Sequence, residues 1–595
     1  MCGASGYMET KKINCEECDD LSCSITSVPT LEGLQSAVHK LRYAASDKET
    51  WSQTVVRTAN AISMAEKTPE LRSKYGEMYY RSIVGFDFLP GGRILRNAGK
   101  VKGNLLNCFV LGVEDTIESI AMDWYGPGMI VSKYGGGIGF NVSSLRPEGE
   151  ELKTQGNHSY ATGPVSFIEG LNFVLRLIRG GGDRRAAGLA MLEVWHPEIS
   201  KFIRSKYEDG KLENFNLSVG LNEAFIKAVK HNKDWELTFG NKLYKTVKAV
   251  DLWNEIVKHT WEVSEPGIIN FEKMQNDNNL WYCDTISSTN PCGELPLPVN
   301  SACCLGSVNI SNMYDAKRNE VNWKKLKETI YLSVRFLDSV LDVNYYPITQ
   351  IGLNVGAARR IGLGTMGLHH LMLKLGIKEY GSDEALDFID DFYRRFRDAA
   401  YLSSISLSQE KGPFDKFVSE KFLQGTFISG LPRRIRKSIK EMGIRNGTVL
   451  SIAPTGTIGL LAGTSQGLEP IFAPIYKRKY YEDGEIKEVT EWDRLFKDFV
   501  LQGKDVSHFI GATEILPEQH LEVQSTVQQY IDNSISKTIN IEKDFPKEKL
   551  GALLLDHISD IKGTTVYRRG SKSKEILTPC EYKLPKEQLL KSATK

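Results

Sequence analysis

Between Asn104 and Gly570 the chain alternates two kinds of segment, and this alternation limits its fold more than any other feature. Short β-branched or aromatic stretches such as GIGFNV (137–142), FNLSVGL (215–221) and GTVLSIA (447–453) are interspersed with helical ones such as PVSFIEGLNFVLRLI, VDLWNEIVKHTWEV and LKETIYLSVRFLDSVLD. Strands separated by helices pair in parallel through crossovers, so the pattern predicts an α/β body with much parallel strand character. No linker, low-complexity run or fixed-period repeat divides it, and one large unit over residues 101–571 is expected. Ahead of it, three stretches between Leu31 and Phe88 carry apolar residues at helical spacing, predicting a small helical region within 29–100. Residues 1–28 hold Cys2, Cys15, Cys18 and Cys23 without helical period and read as a flexible tail. Residues 572–595, basic and polar with Cys580, read as a second one.

Charge excludes some classes of partner. Lys and Arg total 75 against 74 Asp and Glu, a balance that points to neither nucleic acid nor an anionic membrane. No apolar run reaches the roughly 18 residues that span a bilayer, and MCGASGYMETKKINCEEC lacks the apolar core of a signal peptide. A cytosolic protein is expected, in which the ten cysteines serve as thiols, catalysts or ligands rather than structural disulfides.

The densest chemistry lies in STNPCGELPLPVNSACCLG, Ser288 to Gly306. Pro291 and Gly293 flank Cys292 and favour a tight turn that lifts the thiol onto a loop tip. Asn290 and Glu294 stand two residues to either side. A carboxylate so close raises a thiol pKa, which suits hydrogen-atom chemistry better than thiolate attack. The alternative is a buried, inert Cys292 beside a surface Glu294. Zinc does not fit, since neither Cys292 nor Cys303 belongs to a C-x₂₋₄-C pair.

Asn290-Pro291-Cys292-Gly293-Glu294, followed by Cys303 in CCLGSVN, resembles the finger loop of ribonucleotide reductase catalytic subunits. Asn107-Cys108, with Asp115 seven residues on from Cys108, resembles the segment that carries the family's first redox cysteine. LPGGRILRNAG, GGGIGFNVSSLRPEG, GGGDRRAAGLAML, RRIGLGTMGL, APTGTIG and GTTVYRRGS extend the likeness from Leu89 to Ser571 in family order. The resemblance implies a ten-stranded α/β barrel of two antiparallel-arranged half-barrels around a central finger loop. It implies Cys292 as the thiyl radical that takes the 3′ hydrogen, Glu294 as base on the 3′ hydroxyl, and Asn290 as a hydrogen-bonding partner for substrate. Cys108 and Cys303, rather than Cys304, would supply two electrons and end as a disulfide. Asn107 and the segment Pro454, Thr455, Gly456, Thr457 and Ile458 resemble the substrate and diphosphate site. The loop's small residues suit phosphate binding through backbone N–H groups. Asp115, Lys133, Arg184 and Arg185 match effector-binding regions, and helical stretches 116–134 and 164–179 match the dimer and effector surface. No metal-ligand set is expected.

The family divides by radical source. Tyr480-Tyr481 comes too soon after the phosphate loop to match the tyrosine pair of the class that depends on a metal-containing subunit. The single Tyr567 in GTTVYRRGS, with NPCGE and PTGTIG, resembles the adenosylcobalamin-dependent class. The expectation is therefore a cobalamin-dependent reductase of ribonucleoside diphosphates, or of triphosphates, binding an ATP or deoxynucleotide effector, drawing on a thioredoxin-type reductant and assembling as a homodimer. The rivals are a large subunit that needs a radical-generating partner and an inactive nucleotide-binding regulator. An ATP-cone domain is not expected in the residues ahead of Leu31, and of the family's C-terminal cysteine pair Cys580 is the expected remnant. Cys15-x-x-Cys18 has a redox-motif spacing and is a candidate shuttle with Cys580, against an inert tail or a partial zinc site.

Overall fold

A computed structural model of the chain describes residues 28–154, 157–178, 187–208, 210–482, 485–571, 577–583 and 586–594. Two sets of five parallel strands make up its centre. The first runs Cys108–Val110, Gly137–Asn141, Gly188–Glu193, Phe215–Leu221 and Gly267–Asn270, each paired in parallel with the next. In the second, Ser301–Asn309 pairs in parallel with Ile361–Met366. Parallel bridges Leu363 to Leu450 and Ile452 to Ile535 carry the pairing onward, and Thr538–Ile541 then pairs in parallel with Gly563–Arg568. The two sets meet antiparallel at both seams, Ser301–Asn309 against Cys108–Val110 and Gly267–Asn270 against Gly563–Arg568. The pairings thus run round a complete ring, the ten-stranded α/β barrel of two half-barrels. Phe88–Pro90 adds an antiparallel strand outside, on Ser301–Asn309.

Helices between the strands cover the outside. Trp323–Val343 and Asp383–Lys411, 21 and 29 residues long, are the largest and pack against one another. The expected helices at the N-terminal end are Gly33–Arg42, Trp51–Ser63 and Pro69–Val84. Thr50 and Gln53 form a reciprocal capping box on the second, and Thr68 followed by Pro69 starts the third. Arg335 fastens this layer to the barrel helices. It is 1% exposed, forks onto Glu66 at 2.6 and 2.8 Å and onto Glu410 at 2.6 Å through two nitrogens, and lies over the Tyr75 ring. A guanidinium can be buried so deeply only because both carboxylates satisfy its planar fork.

The C-terminal stretch differs from the expected tail. Leu577–Pro579 joins the hairpin of Ile475–Glu482 and Glu485–Trp492 as a third strand, and Lys586–Ala593 is a helix. Leu589 and Ala593 pack with Phe496 and Phe509, so a few apolar residues in a polar segment suffice to dock it. Cys580 is accordingly held: its N–H donates to the Ile475 carbonyl at 2.9 Å, and its side chain packs beside that cluster. Cys15 and Cys18 lie outside the described residues, as do Arg184 and Arg185.

Candidate active site

The finger loop threads through the barrel and touches both halves. Ser288–Thr289 and Pro296–Leu297 pair antiparallel and form its stem. The stem crosses the strand Gly137–Asn141 so closely that a Cβ on Gly139 would lie 1.6 Å from the Thr289 carbonyl oxygen, which is why GGGIGF carries glycine there. On the other side, the Glu294 carbonyl accepts from the Ser451 hydroxyl at 2.8 Å and the Ser534 N–H at 3.0 Å. The tip turns at Gly293, whose φ is +81°, and leaves Cys292 exposed. Glu294 is 1% exposed. The structure therefore reverses the inert alternative, which would bury the thiol and expose the carboxylate.

Cys108 and Cys303 are direct cross-strand partners at the antiparallel seam. Such partners have Cα atoms about 4.5–5.5 Å apart, within the range a disulfide spans. With Val110, Leu295, Leu297 and Leu305 they form an apolar cluster inside the barrel, whereas Cys304 points into the outer core. Asn290 links loop to seam: its Nδ2 donates to Cys108 Sγ at 3.1 Å, while its Oδ1 accepts from the Leu295 N–H at 3.0 Å.

Burial sets the protonation states. It pushes the Glu294 carboxyl up to about 7 against the opposing bond from Asn290, and Glu294 Oε2 has no hydrogen-bond partner among the described residues. A carboxyl poised near neutrality with an idle oxygen is suited to general-base work. Burial also drives Cys108 well above the usual thiol range, and the Glu294 charge adds to it. Burial likewise raises the Cys303 thiol, so both sulfurs at the seam stay protonated.

Two cavities meet at the finger tip. One, of about 370 Å³, is bordered by Asn107, Cys108, Asn290, Cys292, Glu294 and the segment Ala453–Ile458. Into it faces the N-terminus of the helix Gly456–Ala462, capped by Thr455 in the left-handed conformation (φ +51°), whose hydroxyl accepts from the Gly467 N–H. The first N–H groups of a helix have no partner inside it, which makes this end a cradle for an anion. Asn107 Oδ1 is buried and without a partner among the described residues, a second vacancy for a ligand donor. The other cavity, about 330 Å³, lies across Cys292 and is bordered by Ser218, Lys537, Thr538, Thr564 and Tyr567. Sequence reading singled out none of Ser218, Lys537 and Thr564, although Thr564 lies within GTTVYRRGS.

A model of the ribonucleotide reductase barrel domain matches residues 106–567. The chain belongs to the ribonucleotide reductase family. The reductase is 33% identical to a vitamin B12-dependent ribonucleoside-diphosphate reductase of Mycobacterium tuberculosis over 97% of this chain and 81% of that protein. It is 34% identical to a like-named protein of Thermoplasma acidophilum, over 86% of this chain and 68% of that one. Identity falls to 24% with a ribonucleoside-diphosphate reductase subunit alpha of Chlamydia pneumoniae, over 87% of this chain and 56% of the other.

Of the expected effector residues, the described Asp115 and Lys133 border neither cavity. Asp115 binds Arg146 instead, taking its Nε at 2.6 Å and its backbone N–H at 3.1 Å. Lys133 ends the helix Gly126–Lys133 with its side chain exposed. Tyr480 and Tyr481 lie in the outer hairpin, whereas Tyr567 lies on a barrel strand beside the second cavity.

Proposed function

We propose that the chain is an adenosylcobalamin-dependent ribonucleoside-diphosphate reductase, and the observation that carries this is that Cys292 borders both cavities. One thiol between two chambers can exchange a hydrogen atom with a radical source on one side and a ribose on the other. The diphosphate is held by the N–H groups at Gly456, Thr457 and Ile458, which places the ribose between Asn290, Glu294 and Cys292. As a thiyl radical, Cys292 takes the 3′ hydrogen while Glu294 takes the 3′ hydroxyl proton, and the 2′ hydroxyl leaves as water on protonation by a thiol of the pair. The second thiol of the pair gives its hydrogen to the 2′ carbon, Cys108 and Cys303 thereby supply two electrons and become a disulfide, Glu294 returns its proton to the 3′ oxygen, and Cys292 returns its hydrogen to the 3′ carbon.

The second cavity fits a nucleoside-bearing cofactor. Thr564 Oγ1 is buried there without a partner among the described residues, and the space in front of Gly293 is open. Ser218, Lys537, Thr538 and Tyr567 would hold the adenosyl part, and a groove of about 880 Å³ that shares Thr538 and Tyr567 continues outward beside the hairpin. When bound, adenosylcobalamin supplies a carbon-centred radical at this side of Cys292. The names and higher identity of the B12-dependent relatives support this source over a partner subunit.

We also assign the homodimer to one apolar face. Met122 (75% exposed) on Ile120–Tyr125, and Phe173 (63%) and Leu177 (71%) on Gly163–Leu177, are presented on segments packed through Tyr125 and the Phe167 carbonyl. An exposed patch of this kind marks an association surface. Asp115 and Lys133 bracket the first helical segment in sequence, and we place deoxynucleotide or ATP effector binding at this end of the barrel. A thioredoxin-type dithiol renews the cysteine pair.

The test is an anaerobic assay with adenosylcobalamin, dithiothreitol, an effector nucleotide and CDP, following deoxycytidine product. Product that requires the cobalamin is expected. Product that appears only after a metal-containing subunit is added would replace the radical source, and nucleotide binding with no product under either condition would leave the regulator reading.

A further inference from the structure

The strand pairing that joins Cys108 to Cys303 also gives Cys303 a second neighbour. Cys304 pairs in parallel register with Ile361, so the residues one step earlier, Cys303 and Arg360, stand side by side on the opposite face of the two strands. Neighbouring strands are about 4.8 Å apart. The inner seam therefore reads Cys108, Cys303, Arg360 across three adjacent strand segments, Arg360 standing just ahead of Ile361–Met366.

Arg360 is 2% exposed. Its Nη2 donates to Asp284 Oδ2 at 2.9 Å, and its Nε has no hydrogen-bond partner among the described residues. Asp284 is shared, since its other oxygen accepts from Lys416 Nζ at 2.6 Å. One carboxylate between two cations leaves the group net positive beside the sulfur. Burial raises the Cys303 thiol most, Arg360 opposes that rise, and Asp532 and Glu294 add to it. Asp532 is occupied by the N–H groups of Val449 and Leu450 and the Tyr401 hydroxyl, each at 2.8 Å. At Cys108 the charge that acts most is that of Glu294, which raises the thiol, and the described hydrogen bond it receives is from the neutral Asn290 amide. Access runs the other way, because Cys108 borders the 370 Å³ cavity whereas Cys303 is fully buried.

We propose that Arg360 is a positioning residue that gives re-reduction of the Cys108–Cys303 disulfide its direction, with Cys108 the sulfur attacked and Cys303 the leaving thiolate. This rests on the reading of those two cysteines as the redox pair. A thiolate of the incoming dithiol bonds to Cys108 Sγ, the Cys108–Cys303 bond breaks, and its electron pair goes to Cys303 Sγ beside the guanidinium, where the sulfur then takes up the proton that the dithiol's second thiol releases. The dithiol's second sulfur then displaces Cys108, which leaves with a proton from solvent, and the dithiol departs as a disulfide. A thiol whose anion is stabilised leaves faster, so the cation acts at the first step.

The experiment uses the full chain without cofactor. The disulfide is formed with a mild oxidant, confirmed by mapping of alkylated peptides, and reduced with glutathione under acid quench. In the wild type the glutathione adduct is expected on Cys108. Arg360→Gln is expected to slow reduction at pH 7 by about tenfold, and Arg360→Lys, which keeps the charge, to stay within about threefold of wild type. An adduct on Cys303 would overturn the proposal, as would equal losses in both variants or no loss in either. If Arg360→Gln does not fold, the position of the wild-type adduct decides the matter alone. Failure of Cys108 and Cys303 to form a disulfide at all would instead defeat the redox-pair reading on which it rests.

Discussion

Replacing Glu294 by Gln should make the protein more stable and far less active, and the size of both effects follows from burial. The carboxyl ionises near 7 in the folded chain against 4.5 when solvated. Its folded pKa is raised, so its contribution to stability is fully present below 4.5 and lost as pH rises through about 7. The difference is worth about 3 kcal/mol at pH 8, an order-of-magnitude figure. An amide of the same shape carries no charge to bury. At pH 8 the variant should therefore melt roughly 2–3 °C higher than wild type for a chain of this length, and at pH 4.5 the gain should vanish. Activity moves oppositely. If Glu294 is the base, wild-type kcat falls about tenfold per pH unit below 7, and Glu294→Gln loses about 10²–10⁴-fold with that acid limb gone. Calorimetry at the two pH values and a pH–rate profile check both arms. A melting difference independent of pH would refute the burial argument, and an intact acid limb in the variant would remove Glu294 from the base role.

Cys292→Ser should abolish deoxynucleotide formation while equilibrium dialysis shows CDP binding retained, whereas Cys303→Ser should lose multiple turnover yet still exchange hydrogen at the substrate 3′ carbon. Gly139→Ala places a methyl against the Thr289 carbonyl and should displace the finger loop, read as lost activity and a melting point lowered by several degrees. Arg335→Ala leaves the buried Glu66 carboxylate, among the described residues, with only Lys411 Nζ, 3.4 Å from its Oε1, and a loss of about 3 kcal/mol is expected from denaturant unfolding. Phe173→Glu should shift a dimer to monomer by light scattering without changing the melting point of the barrel.

Local chemistry was legible in the linear chain because it acts over a few residues. Pro291 and Gly293 around Cys292 announce the turn, and Pro454 to Ile458 announce a phosphate-type helix start, which the structure places on one cavity. The alternation of strand and helix announced the class of fold. The chain also contained every cysteine, but not which would meet. Cys108 and Cys303 become partners only through the register of an antiparallel seam that the rest of the barrel imposes. Glu294 illustrates the same limit: its spacing suggests an effect on Cys292, yet the fold buries it and sets it against Cys108 as well. Lys537 lay in no motif, and the motifs that contain Thr564 and Arg360 did not single them out, since each matters for the neighbour that closure of the ring supplies. Likewise Leu589 and Ala593 made a docked helix of a segment whose composition is that of a tail, because the surface that receives them is built elsewhere in the chain. Residue types and short spacings determined what chemistry this protein can perform, and the closing of ten strands into a ring decided where each group stands, since burial, strand register and the charges that shift a pKa are properties of neighbours distant in sequence.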